Sequence, residues 1–196
     1  MIKLVIALEV PNQVFEIIFV SELLISFLCN LIYQTLKRQM KIAVFPGSFD
    51  PITLGHVDLV RRAVPLFDKI IVAVGINNYK TTLFSLEKRI EWLKQVFKEY
   101  DNVEISYFEG LTVRFCQERG AHYLIRGLRN ASDFDYEKTI SQINTIMGKE
   151  VETIFLISQP EYSHISSTIV REVIKGKGDV SAFVPKNISK ELLTID

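Results

Sequence analysis

Five short apolar runs punctuate this chain of 196 residues, at 41–45, 69–74, 103–107, 123–125 and 151–157, and the segments between them repeat their apolar residues at helical spacing. The run at 69–74 is continuously apolar, as in a strand buried on both faces. Ser85 is placed to cap a helix through about residue 100, with Glu87 in its first turn and Ile90, Leu93, Val96 and Phe97 on one face. Helices at 111–119 and 133–147 are stopped by Gly120 and Gly148. Strands alternating with helices predict an α/β fold, a single Rossmann-like, doubly wound parallel sheet of five strands with helices on both faces. Ligands of such a sheet sit outside the carboxyl ends of its strands.

At the end of the first run stands PGSFDPITLGH (46–56). Pro46 and Gly47 stop the strand, because proline has no ladder donor and glycine permits unusual backbone angles. From His56 onward Val57, Leu59, Val60 and Val64 recur at helical spacing, so the histidine sits near a helix N-terminus. Unpaired amides and the helix dipole favour an anion there, which makes the turn a phosphate site. Neither a Walker A pattern nor G-x-G-x-x-G follows the first strand, so an ordinary P-loop or dinucleotide fold is not expected.

Residues 1–39 differ from the rest, being rich in Ile, Leu, Phe and Val and closed by Lys37 and Arg38. Their uncharged run, 23–35, contains Asn30 and Gln34 and is shorter than the roughly 20 apolar residues that span a bilayer. We read 1–39 as an apolar N-terminal extension, an appended helix or a translated upstream stretch, preceding a separate α/β domain at 40–196. A partner-binding helix and a peripheral membrane anchor are the less favoured alternatives. Lys+Arg and Asp+Glu each number 23, so no broad electrostatic footprint for nucleic acid exists. Cys29 and Cys116 fit neither a disulfide framework nor zinc-ligand spacing, which points to a reducing, cytoplasmic compartment.

Three further clusters carry chemistry. ISSTIVR (165–171) follows the fifth run, where another helix begins, and its hydroxyls can cap that helix and donate to phosphate oxygens. IRGLRNASDFDYE (125–137) places Arg126 and Arg129 at the end of the fourth strand, with Asp133 and Glu137 one helical turn apart as candidate counter-charges. Asn144 falls on the same helix face as Glu137. Lys80 lies in the loop after the second strand, facing the same sheet edge as the turn.

Together these segments resemble the phosphopantetheine adenylyltransferases, within the T/H-x-G-H nucleotidylyltransferase superfamily, from residue 40 to about 190. The resemblance implies transfer of AMP from ATP to 4′-phosphopantetheine, giving dephospho-coenzyme A and pyrophosphate, by a homohexamer. Mg²⁺ is expected to neutralise ATP, carried mainly on its phosphates, since the sequence shows no dedicated carboxylate cage. By matching position it implies that Ser48, His56, Lys80 and Arg126 act at the reacting phosphates. Phe49, Gly127, Arg129, Asp133, Glu137, Tyr162, Ile165, Ser166, Ser167 and Thr168 would join Ser48 and His56 on the ATP side. Leu111, Thr112, Asn144 and Glu172 would line the acceptor arm with Ser48, Lys80 and Arg126. Ser48 replaces a threonine of other members and Tyr162 a tryptophan. The alternatives are an adenylyl- or cytidylyltransferase with another phosphorylated acceptor, and a nucleotide sensor or membrane-tethered assembly protein.

Overall fold

The computed structural model describes residues 24–30, 40–77 and 81–193. The chain divides into two compact units, Met1–Gln39 and Met40–Asp196. Of the first, the structure describes one short helix, α1 (24–30), whose residues are all exposed. No helix among the described residues is long and apolar enough to cross a membrane.

The second unit is built on a five-stranded sheet of order β3-β2-β1-β4-β5. Its strands are β1 (Ile42–Gly47), β2 (Lys69–Ile76), β3 (Val103–Glu109), β4 (Tyr123–Leu128) and β5 (Glu152–Ile157), all parallel. The expected architecture is present, and the strand order reverses direction at β1. Successive residues of a strand face opposite ways, and the core divides accordingly: Ala43, Phe45, Ile70, Val72 and Val74 enter one cluster, Val44, Ile71 and Ala73 the other. Against the first cluster pack α2 (Leu54–Ala63), α3 (Leu86–Phe97) and α6 (Ser167–Lys175). Val113, Phe115 and Cys116 of α4 (Thr112–Glu118) fill the second. Two further helices are α5 (Ala131–Met147) and α7 (Lys186–Leu192), the latter missing from the sequence reading.

The first strand runs on to Gly47 rather than stopping at Phe45, because its ladder with β2 continues through Pro46↔Ala73 and Gly47↔Val74. On the other side β1 pairs with β4 only at Ala43↔Tyr123 and Val44↔Leu124. A proline without a donor is harmless once the neighbouring strand has ended its pairing. Likewise β4 extends past Ile125, since Arg126, Gly127 and Leu128 pair with β5 alone. The two central strands therefore part above Val44 and Leu124, and a crevice opens between them. Helix starts around it are fixed by side-chain caps: Ser85 accepts from the Lys88 amide at 3.3 Å, Asn130 from Asp133 at 2.9 Å and Ser166 from Ile169 at 3.2 Å. Asn130, not Asp133, opens α5, so that helix starts at Ala131.

Gly148, at the end of α5, lets Val113 of α4 come close, and a Cβ there would lie 2.1 Å from Val113 Cγ2. Valine is stiff at χ1 and Val113 is buried, so the clash has no easy outlet. Gly148→Ala is expected to destabilise the protein by roughly 1–3 kcal/mol in urea unfolding, and adding Val113→Ala is expected to recover part of that loss.

Candidate active site

The crevice widens at the carboxyl edge of the sheet into a cleft of about 660 Å³. Its floor is the turn after β1. Thr53 is the N-cap of α2 and His56 its third residue, and the two are tied reciprocally: Thr53 Oγ1 accepts from the His56 amide, and His56 Nδ1 accepts from the Thr53 amide at 3.1 Å. This is a capping box in which an imidazole takes the place usually held by Glu or Gln. An amide can only donate, so Nδ1 is the acceptor and the neutral ring carries its proton on Nε2. The carbonyl of Phe183 takes the Leu54 amide at 2.9 Å, so of the first three amides of α2 only Gly55 has no hydrogen bond among the described residues.

Phe49 lies beneath the cleft wall, with its side chain in the core. It is 1 % exposed, and its ring meets His56 edge-on at 5.1 Å and Phe45 at 5.7 Å. Gly47 makes room for that ring, because a Cβ there would stand 2.9 Å from Phe49 Cζ. Burial pulls the His56 pKa down to about 4, and the positive charges of Arg129 and Arg126 add to the effect. The imidazole is thus neutral at physiological pH before any anion binds.

Arg126 crosses the crevice between the parted strands. Nη1 donates to the Pro46 carbonyl at 3.2 Å, Nε donates to Glu137 Oε2 at 2.8 Å, and Nη2 pairs with Glu137 Oε1. Arg129 holds Asp133 bidentately at 2.9 and 3.1 Å, and its amide bonds the same carboxylate. The two expected counter-charges are therefore in place. Burial alone would raise the Asp133 carboxyl, but hydrogen bonds from Arg129 and the charge of Arg126 outweigh it and hold the group below the usual range. On the opposite wall Ser167 Oγ donates to the Pro51 carbonyl at 2.9 Å, and Arg171 donates to the Asp50 carbonyl at 2.8 Å and to Thr168 Oγ1 at 3.1 Å.

Ser48, His56, Arg126, Gly127, Arg129, Asp133, Glu137, Tyr162, Ile165, Ser166, Ser167 and Thr168 all line this one cleft. Lys80 lies outside the described residues. Leu111 and Thr112 stand at the start of α4 and Asn144 on α5, and none of them, nor exposed Glu172 on α6, reaches the wall. Sequence reasoning missed Asp50 and Arg89. Asp50 is 2 % exposed and accepts the Leu83 and Phe84 amides at 2.8 and 2.9 Å, pinning the loop before α3 to the turn. Among the described residues the cleft has four guanidiniums, of Arg89, Arg126, Arg129 and Arg171, against three carboxylates. That surplus suits a polyanion.

Curated relatives are similar to this chain over most of its length. Phosphopantetheine adenylyltransferase of Cytophaga hutchinsonii is 51 % identical over 76 % of this chain and 99 % of its own, and that of Leptospira biflexa 51 % over 78 % and 95 %. The enzyme of the same name from Limosilactobacillus reuteri is 48 % identical over 78 % of this chain and 88 % of its own. The cytidylyltransferase-like family model matches residues 44–173. The chain belongs to the phosphopantetheine adenylyltransferase family. It is a nucleotidyltransferase. A solved structure assigned as a nicotinate-nucleotide adenylyltransferase of Vibrio parahaemolyticus shares the fold, with a TM-score of 0.62 at 20 % identity over 80 % of this chain and all of that one.

The lowered His56 pKa has a consequence for stability. Between about 4 and the ordinary 6.5 the unfolded chain binds more protons at this ring, so its contribution is fully present above 6.5 and is lost as pH falls toward 4. His56→Gln keeps an acceptor for the capping box. In urea unfolding at several pH values, the variant is expected to lose less stability over that interval than the parent.

Proposed function

We propose that the cleft transfers AMP from ATP to 4′-phosphopantetheine, releasing pyrophosphate and forming dephospho-coenzyme A in coenzyme A biosynthesis. The observation that carries this reading is the joint presence, on one cleft, of the capped neutral histidine, the carboxylate-braced arginines and the triple-hydroxyl helix start, in a chain about half identical to enzymes bearing that name. The 4′-phosphate is already an anionic nucleophile. One of its oxygens attacks the α-phosphorus in line as the bond to the bridging β-oxygen breaks, and pyrophosphate leaves with that electron pair. No base is needed. The obstacle is charge, which His56 Nε2–H, Arg126 and the Ser48 hydroxyl meet at the reacting phosphates, with Lys80 assigned beside them. The start of α6 takes the leaving phosphates through Ser166, Ser167 and Thr168. Gly127, Arg129, Asp133, Glu137, Tyr162 and Ile165 serve the nucleotide, while Leu111, Thr112, Asn144 and Glu172, which lie outside the cleft wall, are assigned to the part of the acceptor arm that extends beyond it. Phe49 serves the nucleotide through its support of the imidazole. ATP enters as its Mg²⁺ complex, because Asp50, Asp133 and Glu137 are each engaged by amides or arginines.

The reading extends to a cytoplasmic homohexamer. It is supported by α5, which buries none of its own residues and leaves Phe134, Tyr136, Ile143, Ile146 and Met147 exposed. Ile146→Lys is expected to reduce the molar mass seen in light scattering to that of smaller species; an unchanged hexamer would remove α5 from the interface.

Pyrophosphate release measured with ATP and each of several phosphorylated acceptors tests the reaction, 4′-phosphopantetheine being the one expected to turn over. His56→Ala and Arg126→Ala are expected to lower kcat by roughly 100- to 1,000-fold while circular dichroism stays that of the folded parent. Near-normal turnover in either overturns the assignment.

A further inference from the structure

The buried face of α3 carries a charge. Trp92, Leu93 and Phe97 lie on it, and Arg89, at the same helical spacing, is only 5 % exposed. Desolvating a guanidinium is costly unless its donors are satisfied, and an apolar side chain would fill the position without that cost. Burial pulls the Arg89 pKa down, and the charge of Asp50 partly offsets the pull. Nε donates to the Ser85 carbonyl at 3.3 Å and Nη1 to the Ser48 carbonyl at 2.7 Å, while Nη2 makes no hydrogen bond among the described residues. The side chain borders the cleft.

The shorter of these bonds fixes the peptide joining Ser48 to Phe49. Phe49 has φ of +46°, in the left-handed region that costs a residue with a Cβ roughly 1–2 kcal/mol. Such a conformation persists only where its surroundings over-determine it. Here the ring is locked between Phe45 and His56, and the preceding carbonyl is held by Arg89. Release of that carbonyl frees the peptide to rotate and carries the Ser48 hydroxyl with it. We propose that Arg89 is a positioning residue for adenylyl transfer, holding the Ser48–Phe49 peptide so that the Ser48 hydroxyl stays directed at the reacting phosphate. The inference rests on the reaction proposed above.

A double-mutant cycle of Arg89→Met and Ser48→Ala in the full chain tests it, with kcat and both KM values read by pyrophosphate release and Tm recorded for every variant. Arg89→Met is expected to lower kcat roughly 10- to 100-fold with each KM within about threefold, and to cost less than about threefold once residue 48 is alanine. Unchanged kcat, or an equal loss in both backgrounds, overturns the proposal. Should Arg89→Met fail to fold, Arg89→Gln, which is uncharged and ends two bonds short of the Nη1 that holds the Ser48 carbonyl, takes its place under the same criteria. A parent chain inactive on this substrate pair overturns the reaction instead. The cycle is then read in ATP dissociation constants by calorimetry, where coupling supports the positioning role and additivity overturns it.

Discussion

The reciprocal hydrogen bonds between Thr53 and His56 are the constraint on which the site depends. They are ordinary helix-capping bonds, and they satisfy two amides that any helix start must satisfy. By using Nδ1 as the acceptor they also decide which nitrogen of the imidazole keeps the proton. Burial against Phe49, with Arg129 and Arg126 nearby, then holds the ring neutral. A structural requirement of α2 and a chemical requirement of phosphate binding are met by the same four residues of chain.

The second constraint is the early end of pairing between β1 and β4. Only Ala43 and Val44 pair across that boundary, whereas β1 and β2 stay in register to Gly47 and β4 and β5 to Leu128. The sheet therefore parts where its strand order reverses, the place where open α/β sheets bind ligands. Arg126 spans the gap to Pro46 and is braced from α5 by Glu137. A guanidinium held on both sides keeps its geometry while phosphates arrive, so little reorganisation remains for the reacting state.

Most of this architecture was legible because its signals are local. Glycine and proline punctuation, apolar periodicity and cap residues located all five strands, and the clustered motifs named most of the cleft. Errors arose where a neighbour decides the outcome. Pro46 and Gly47 read as a stop, yet β2 carries them on as strand; the fourth run read as ending at Ile125, yet β5 pairs on through Leu128. The motif alone did not show that the left-handed backbone of Phe49 turns its ring under His56. Arg89 was passed over because the spacing of Ile90, Leu93, Val96 and Phe97 drew a slightly different face of α3. Its charge beside Trp92 was the available signal. No pattern within one helix reports a bond to a carbonyl across the cleft.

The central claim is that the capping box presents a neutral imidazole with its proton on Nε2. Long-range proton–nitrogen correlation spectra of histidine-labelled, ligand-free protein at about pH 7 test it most directly. The account predicts a neutral His56 ring in the Nε2–H tautomer. A ring protonated on Nδ1, or an imidazolium at that pH, would contradict it.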